Sequence, residues 1–321
     1  MTTKTLPDSR DGFVHECLFY ESDDAYTSAV CDFVRAGLAA GEPVLVAVPG
    51  TRIDFLRRGL GKDAARVGFA DMSELGGNPG RIIPAIREFV ETHPGRRVRF
   101  GGEPIWAARS DAEIRAATRH EALLNHAFAD TAMAILCPYD ARLDPGVLTG
   151  AEHTHPIVTE RDGRRASSSY SGPPAAGSEE PLPLPPGDAE MLMFLSVADL
   201  TLLRSVVTEH ARRAGLAAGR IGELLLAVEE VAANSLQHAD GSGTLRIWQT
   251  APWLVCQVDD SGRITDPLAD RRRPTSNMEH YPGLWLVHVL CDLVELRSHA
   301  TGTTVRMHMH ADGVADHPSF P

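Results

Sequence analysis

Short apolar runs alternate with helical patterns through the first half of the chain. A continuous apolar run such as Val44–Val48 predicts a strand that is buried on both faces, as in parallel sheets. Apolar positions three and four residues apart, as in Asp24–Ala39, predict amphipathic helices. Further strands are predicted at Cys17–Tyr20, Val67–Phe69, Val98–Phe100 and Ala132–Cys137, and further helices at Ile53–Gly59, Pro79–Thr92 and Asp111–Phe128. This succession predicts a doubly wound α/β sheet, whose ligands sit at the carboxyl ends of the strands.

The order of elements changes in the second half. Two consecutive helices at Leu200–Ala214 and Arg220–Ala239 precede strands at Gly243–Thr250 and Trp253–Asp259. The remaining predicted elements are a helix near Leu284–Cys291 and strands at Val294–Ser298 and Thr303–Met309. Helices gathered before an antiparallel run predict an α+β two-layer sandwich. In the second helix, one stripe at helical spacing is expected to face the core: Leu225, Val228, Ala232 and Leu236.

A proline-rich stretch separates the two halves. Residues 171–188 contain six prolines, which remove backbone donors and cannot continue a helix or a central strand. We therefore predict a linker at 171–188, an N-terminal domain over 1–170, a C-terminal domain over 189–311 and a tail over 312–321.

Composition and charge narrow the classes of function. Hydrophobic residues make up 43% of the chain and charged residues 23%, as in globular domains. The formal net charge of −12 argues against direct binding of nucleic acid or an anionic membrane, because phosphates need clustered Lys and Arg. The sequence has no apolar run as long as a membrane span and no apolar leader, so we expect a cytoplasmic protein. The five cysteines form no C-x-x-C pair and are expected to be reduced and buried.

Candidate chemistry is concentrated in the C-terminal half. Glu230 and Asn234 are four positions apart and therefore neighbours on one helix face. A carboxylate beside a carboxamide oxygen can bind Mg²⁺ and can accept the proton of a hydroxyl group. An isolated pair of this kind is nevertheless more often part of a solvated helix face. The pair is not isolated, because Asp260 and Gly262 follow at a strand end and Gly283 opens a helix. Glycine at a helix start lets backbone N–H groups approach phosphate.

These residues resemble the GHKL (Bergerat-fold) ATPase domain in its anti-sigma-factor form, a class of serine/threonine kinases that sequester sigma factors. The resemblance covers the whole C-terminal domain and implies binding of ATP with Mg²⁺. It implies that Glu230 is the general base, that Asn234 is the Mg²⁺ ligand and that Asp260 bonds the adenine amino group. The other nucleotide-binding positions that it implies are Gly262, Gly283, Leu284 and Thr304.

Two positions depart from the family pattern. Ile264 stands where the first glycine box, D-x-G-x-G, has its last glycine, and Tyr281 stands where the second box, G-x-G-L, has its first. The alternative is therefore a catalytically inactive partner-binding module with a degenerate nucleotide site. A histidine kinase is disfavoured, because the proline-rich stretch stands where the phospho-accepting helical hairpin would be.

The N-terminal half resembles the MEDS domain, the methanogen and methylotroph sensory module with a RecA/KaiC-like core. The segments that carry the resemblance are His15-x-Cys17-x-x-Tyr20, Gly41-Glu42-Pro43, Gly102-Glu103-Pro104-Ile-Trp106, His120-Glu121-x-x-x-Asn125, Cys137-Pro-Tyr139-Asp140 and His155-Pro156. The resemblance implies sensing of an unknown small organic ligand. The candidate ligand-sensing residues, which we place at strand ends, are His15, Glu103, Tyr139, Asp140 and His155. The same residues could equally form structural hydrogen bonds.

A metal-binding sensor is a further alternative. The pairs His153-Thr-His155 and His308-Met-His310, together with Cys17 or Cys137, offer ligands for zinc or iron, although such pairs are common without metal. With the two resemblances, the sequence predicts a signal-responsive anti-sigma regulator that binds proteins. The implied partners are a sigma factor or a STAS-type anti-anti-sigma factor, and the family also implies a homodimer.

Overall fold

The chain folds into two compact units that meet in sequence between residues 173 and 174. The computed structural model describes residues 12–160, 163–172, 180–273 and 283–311. Part of the predicted linker (173–179), Tyr281 and the predicted tail lie outside the described residues.

The N-terminal unit is built on a seven-stranded sheet in the order β3-β2-β4-β5-β1-β6-β7. All neighbouring pairs are parallel except β6 and β7, which form an antiparallel pair at one edge. The strands are β1 (Phe13–Tyr20), β2 (Val44–Val48), β3 (Gly68–Asp71), β4 (Val98–Gly102), β5 (Met133–Asp140), β6 (Ile157–Glu160) and β7 (Gly163–Ala166). Nearly every residue of β2 and β5 is buried, as the continuous apolar runs predict.

Helices connect the parallel strands of this sheet. They are α1 (Asp23–Ala39), α2 (Gly50–Leu60), α3 (Met72–Leu75), α4 (Ile82–Glu91), α5 (Asp111–Ala127) and α6 (Pro145–Thr154). Side-chain caps fix where the longest ones begin: Ser22 accepts a hydrogen bond from the Ala25 N–H in α1, and Ser110 and Glu113 form a capping box in α5. The predicted helices match α1, α2, α4 and α5, whereas α6 and strands β6 and β7 had no predicted counterpart.

The C-terminal unit is an antiparallel sheet with helices on one face. Its strand order is β11-β12-β10-β9-β8. The strands are β8 (Glu190–Phe194), β9 (Gly243–Thr250), β10 (Trp253–Asp260), β11 (Leu293–His299) and β12 (Gly302–His310), and the helices are α7 (Leu200–Arg213), α8 (Ala218–His238) and α9 (Gly283–Leu290). The two-layer α+β arrangement agrees with the sequence prediction, except that the edge strand β8 was not predicted.

Helix α8 supplies the centre of this unit's core. Val228 and Ala232 are fully buried as predicted, but Leu225 and Leu236 are only partly buried at the margin of the core. The helix is rotated so that its most buried positions are Leu224, Ala227, Val228, Val231, Ala232 and Ser235. The polar Ser235 is tolerated there because its hydroxyl is hydrogen-bonded to Asp260 of β10.

The described part of the proline-rich stretch lies on the other face of this sheet. Two arginines of the sheet hold its backbone: Arg297 Nε donates to the Glu180 carbonyl at 3.0 Å and Arg306 donates to the Pro183 carbonyl at 2.6 Å. Residues 181–189 thereby line a groove of about 710 Å³ on the C-terminal unit. Among the described residues, no helix combines the length and apolar character needed to cross a membrane.

Replacing Leu224 with Ala tests the role of α8 in the core. Leu224 is fully buried, so Leu224→Ala should lower the free energy of unfolding of the C-terminal unit by about 2–5 kcal/mol. Leu226→Ala is the matched control, because Leu226 lies on the same helix and is 45% exposed; its effect should stay within about 0.5 kcal/mol. Urea denaturation followed by Trp fluorescence measures both, and equal losses in the two variants would contradict this orientation of α8.

Candidate functional site

Helix α8 carries two adjacent glutamates with different surroundings. Glu229 forms an ion pair with Arg204 of α7. Glu230, one position further, points to a different side and lies against the start of α9, as shown by its contact with Gly283. Asn234 is one turn beyond Glu230 on α8, and both side chains are half-buried. Glu230 and Asn234 are therefore the pair that shares one accessible face.

Asp260, the last residue of β10, is held in a fixed orientation. Its Oδ2 accepts a hydrogen bond from Ser235 Oγ at 2.6 Å and its Oδ1 accepts one from the Gly262 N–H at 2.8 Å. Each carboxylate oxygen has a second lone pair, and Asp260 is only partly buried. The carboxylate can therefore still accept a donor from a ligand while the protein fixes its position.

Three hydroxyl contacts hold the loop after Asp260. Thr303 Oγ1 donates to the Gly262 carbonyl at 2.8 Å, and Ser298 Oγ accepts from the Ile264 N–H at 2.8 Å. The two hydroxyls lie 2.9 Å apart. Gly302 is required beside them, because it has φ of +145° and a Cβ at this position would lie 2.2 Å from the Asp260 carbonyl oxygen.

Gly283 begins α9 directly against Glu230. A Cβ at position 283 would lie 1.7 Å from Glu230 Oε1, so a side chain there would displace Glu230 from this position. The first N–H groups of a helix are unpaired within the helix and favour negative charge, which makes this junction suitable for a carboxylate or a phosphate. The next residue, Leu284, packs against the hydrophobic core of the unit.

Thr304 does not face this region. Its hydroxyl donates to Asp259 Oδ1 at 2.7 Å on the opposite face of the sheet, where Arg246 also pairs with Asp259. Alternate residues of a strand point to opposite faces, and the Asp260↔Thr303 register puts Thr303, not Thr304, beside Asp260. Thr304 thus lies on the face opposite to Asp260, away from the other residues that the sequence predicts for the nucleotide site, and Thr303 is the hydroxyl residue beside Asp260.

A buried charged group lies close to α9 and was also missed. Asp270 Oδ2 lies 2.9 Å from an Arg271 guanidinium nitrogen and 3.1 Å from His288 Nε2, and each of these residues is at most 2% exposed. Because His288 belongs to α9, the group ties that helix to the segment around residue 270. Asp270 and Arg271 are consecutive in the loop before the predicted helix near Leu284–Cys291, which contains His288, and no motif in the sequence connects the loop to that helix.

The N-terminal unit holds two separate polar clusters. The first, which we call the strand-end cluster, comprises Tyr20, Tyr26, Arg52 and Glu103. Glu103 follows β4 and accepts a hydrogen bond from the Tyr20 hydroxyl at 3.0 Å, while Arg52 Nε lies 3.2 Å from its other oxygen. Burial raises the pKa of Glu103 to about 7, although Arg52 and the tyrosine hydroxyls act in the opposite direction. Glu103 is thus a buried carboxyl at the carboxyl edge of the sheet, as predicted.

The second cluster, which we call the His-Glu-Cys cluster, comprises His15, Glu121, Cys137 and His155. All four side chains are buried, and their donor atoms lie within 4.8 Å of one another. His15 Nε2 lies 3.1 Å from Glu121 Oε2 and 3.5 Å from Cys137 Sγ. Burial and the neighbouring His155 lower the pKa of His15 to about 4, so this imidazole is neutral at pH 7.

The predicted ligand-sensing residues do not form one site. His15 lies near the amino end of β1, not at a carboxyl end, because that strand begins at Phe13 and not at Cys17. His15 and His155 belong to the His-Glu-Cys cluster, and the Tyr139 ring lies edge-on to His155 with 5.7 Å between the centroids. Asp140 ends β5 and is bound by its neighbour Arg142. Glu121 was part of a family segment but was not singled out as a candidate, and Cys137 was named only as a possible metal ligand.

These features define a two-domain protein in which a parallel α/β domain precedes an ATPase-like α+β domain. Residues 14–156 match the family model of MEDS, the MEthanogen/methylotroph, DcmR Sensory domain, and residues 195–309 match that of the histidine kinase-like ATPase domain. The chain thus carries a segment that matches the MEDS domain, followed by one that matches the histidine kinase-like ATPase domain, a domain class that implies ATP binding, commonly with Mg²⁺.

Two solved structures show limited similarity to the chain. The RsbU and RsbW domains of a Mycobacterium tuberculosis protein are 15% identical, with 46% of this chain and 34% of that chain covered and a TM-score of 0.29. An ATPase domain is 14% identical, with 48% of this chain and 71% of that chain covered and a TM-score of 0.33. The chain therefore spans about a third of the length of the first structure. No curated protein matches the sequence.

Glu103→Gln tests the strand-end cluster through its pH dependence. The folded protein keeps the Glu103 proton up to a pKa of about 7, whereas the ordinary value is 4.5. The stability that this proton contributes is complete below about pH 4.5 and is lost as the pH rises through 7, by an amount on the order of 3 kcal/mol. Urea denaturation across this range should therefore show a wild-type free energy of unfolding that falls more steeply with pH than that of the variant. Parallel slopes would contradict the raised pKa.

Proposed function

We propose that this protein is a signal-responsive anti-sigma regulatory factor of the cytoplasm. Its C-terminal domain acts as an ATP- and Mg²⁺-dependent serine kinase-like domain, and its MEDS domain senses a small-molecule ligand. Its partners are a sigma factor, a STAS-type anti-anti-sigma factor or both, and it regulates transcription by holding proteins and not DNA. In this proposal the two units have RecA/KaiC-like and Bergerat folds and the chain forms a homodimer.

The observation that carries this proposal is the set of groups around α8. Asp260 is fixed by Ser235 and Gly262 with lone pairs still available, and Gly283 brings a helix start against Glu230. A fixed carboxylate suits the adenine amino group, and an electropositive helix start suits phosphate. These residues fit a nucleotide, with Asp260 at the base, Gly262 and Gly283 allowing close backbone approach, and Asn234 as the oxygen ligand of Mg²⁺.

The reaction would depend on a proton transfer at Glu230. Bound ATP supplies the phosphoryl group that is transferred. Glu230 accepts the proton of a serine hydroxyl on the partner, which makes the oxygen a better nucleophile. Asn234 lies one helical turn away and, as the proposed ligand of Mg²⁺, would position the metal ion and the phosphates relative to Glu230. This matters because phosphoryl transfer depends largely on positioning.

Variants along α8 separate a kinase from an inactive binding module. Glu230→Gln should leave the Kd for Mg-ATP within a few-fold and lower phosphoryl transfer by about 10²–10⁴-fold, because only the proton acceptor is lost. Asp260→Asn should weaken ATP binding by at least about tenfold, because an acceptor is replaced partly by a donor. Isothermal titration with Mg-ATP and transfer of radioactive phosphate to a STAS-type partner measure the two effects.

Glu229→Gln is the matched control, because Glu229 is adjacent on α8 but pairs with Arg204. It should change neither ATP binding nor transfer. No heat of Mg-ATP binding by the wild type would exclude the kinase. Binding without any transfer would favour the inactive partner-binding module, for which Ile264 and Tyr281 in the glycine boxes are the sequence evidence.

Control by the MEDS domain predicts coupling between the two units. Glu103→Gln keeps the shape of the strand-end cluster and removes the ionisable carboxyl that Arg52 faces at 3.2 Å. If a ligand acts through this cluster, the variant should shift the affinity of the C-terminal domain for its STAS-type or sigma partner by roughly 5–150-fold, the usual range of allosteric coupling. Partner affinity measured by biolayer interferometry, with the Leu226→Ala protein as a surface control, tests this. An unchanged affinity in the Glu103 variant would remove the support for sensing at this cluster.

A further inference from the structure

Four elements of the N-terminal unit bring metal-ligand side chains to one point. His15 lies on β1, Glu121 on α5, Cys137 on β5 and His155 directly after α6. The sequence separations are large, for example 106 positions between His15 and Glu121. Each of the four residues is at most 1% exposed, so the fold places two imidazoles, a carboxylate and a thiol together without water around them.

In both imidazoles, the Nδ1 atom faces an oxygen atom that accepts a hydrogen bond. His155 Nδ1 lies 2.8 Å from the Ala151 carbonyl oxygen, which can only accept, so Nδ1 carries the hydrogen. His15 Nδ1 lies 3.1 Å from Asn125 Oδ1, and the Asn125 amide nitrogen donates to the Thr154 carbonyl, so this Nδ1 also carries a hydrogen. In the neutral rings, both Nε2 atoms therefore present lone pairs. An outer hydrogen bond that fixes the ring in this way is the usual arrangement around a metal-ligating histidine.

Both lone pairs point at the same carboxylate oxygen. His15 Nε2 is 3.1 Å and His155 Nε2 is 2.9 Å from Glu121 Oε2. The second approach is an ion-pair distance without hydrogen-bond geometry, and His155 Nε2 has no hydrogen-bond partner. All three residues are buried, so a carboxylate oxygen and two imidazole lone pairs face one another, an arrangement that a cation between them would satisfy.

We propose that the His-Glu-Cys cluster binds one zinc-class divalent transition-metal ion in a closed tetrahedral site. The ligands are His15 Nε2, His155 Nε2, one oxygen of Glu121 and the Cys137 thiolate. With bonds of about 2.0–2.3 Å, neighbouring ligand atoms of such a site are about 3.3–3.7 Å apart. The separations of 2.9, 3.1 and 3.5 Å in the cluster are close to this geometry, and the remaining ones, all within 4.8 Å, would shorten by up to about 1 Å on binding.

Charge and ligand type support this class of ion. A divalent cation with one carboxylate, one thiolate and two neutral imidazoles has no net charge, which suits complete burial. Imidazole and thiolate ligands favour zinc and its neighbours over Mg²⁺ or Ca²⁺. Four protein ligands leave no open position, so the ion holds β1, β5, α5 and the end of α6 together and is acquired as the domain folds.

The ligand set differs from the pairs that the sequence suggests. His153 points its Nδ1 to the Thr149 carbonyl at 2.7 Å in an exposed position, so His153 and His155 do not act together. Cys17 donates to the Ile157 carbonyl, and His308 lies 3.1 Å from Glu295 in the other unit. The residue that completes the set is Glu121, which no H-x-H pattern indicates.

Metal analysis of the full-length protein tests the site. Protein expressed in zinc-supplemented medium and passed over a weak chelator should retain about one metal ion per chain, measured by plasma mass spectrometry. Expression with cobalt should give visible bands of tetrahedral Co²⁺ and a thiolate-to-cobalt charge-transfer band. Cys137→Ser should abolish the charge-transfer band and lower the retained metal at least tenfold. Cys31→Ser is the matched control, since Cys31 is equally buried in the same unit but lies on α1, and it should retain both signals.

A second measurement covers the case in which Cys137→Ser fails to fold. Prolonged treatment of the wild type with a strong chelator should remove the metal and lower Tm by several degrees. Zinc present during refolding should restore Tm. Glu121→Gln, which keeps size and folding geometry but loses the charge, should bind less metal and lose this chelator response. The proposal would be overturned if the folded wild-type protein contained no stoichiometric metal, gave no cobalt bands and had the same Tm in chelator. The cluster would then be a metal-free network with a shared proton.

Discussion

The contact between α8 and the antiparallel sheet is the interaction on which the candidate nucleotide site depends. One side of α8 is buried against β9, β10 and β12 through small and branched residues such as Ala227, Val228 and Ala232. Close packing of this kind fixes both the rotation and the position of the helix. The same contact delivers Ser235 to Asp260 and turns Glu230 toward α9. The core and the site are therefore two consequences of one helix orientation.

Burial of polar groups shapes the N-terminal unit in a comparable way. Its sheet is so thoroughly covered that Glu103 and Glu121 are each 1% exposed, and each must be neutralised by other means. Glu103 does so by holding its proton to a pKa of about 7 beside Tyr20 and Arg52. Glu121 lies instead against the Nε2 atoms of His15 and His155, where the proposed metal ion would balance its charge. Two buried carboxyls of one domain thus meet the same constraint in different ways, and the difference lies in what the fold places around each.

Much of the fold could be predicted from the sequence, because the evidence was local. Periodicity predicted most helices and most strands of both units, and the four-residue spacing placed Glu230 and Asn234 on one helix face. Strand β8 was missed, since Met191 and Met193 on it are exposed and give no alternating pattern with a buried face. Thr303, Val305 and Met307 are alternate residues of β12 and therefore point to one face of the sheet, whereas Thr304 points to the other. Because Val305 and Met307 are apolar and buried, this pattern could have shown that Thr303 lies on the core face.

Other parts of the sites depend on contacts between distant segments. His15 was placed at the wrong end of its strand because the apolar pattern begins at Cys17, while the strand itself begins at Phe13. The convergence of Glu121 with His15 and His155 depends on how α5 and α6 cross the sheet, which spacing along the chain does not specify. The family segments nevertheless contained all of these residues, so the resemblance located the right stretches without showing which residues meet.

Asp259 and Asp260 are consecutive in β10 but serve opposite surfaces. Asp260 faces the helices, while Asp259 joins Arg246, Gln257 and Thr304 on the face where the proline-rich stretch lies. Inserting or deleting a single residue within β10 before this pair would turn each side chain to the opposite face of the sheet and so exchange the two carboxylates. The acid beside Ser235 and the acid beside Arg246 would then change places together. An insertion or deletion in this strand therefore preserves both surfaces only when it contains an even number of residues, unless a bulge absorbs the extra one.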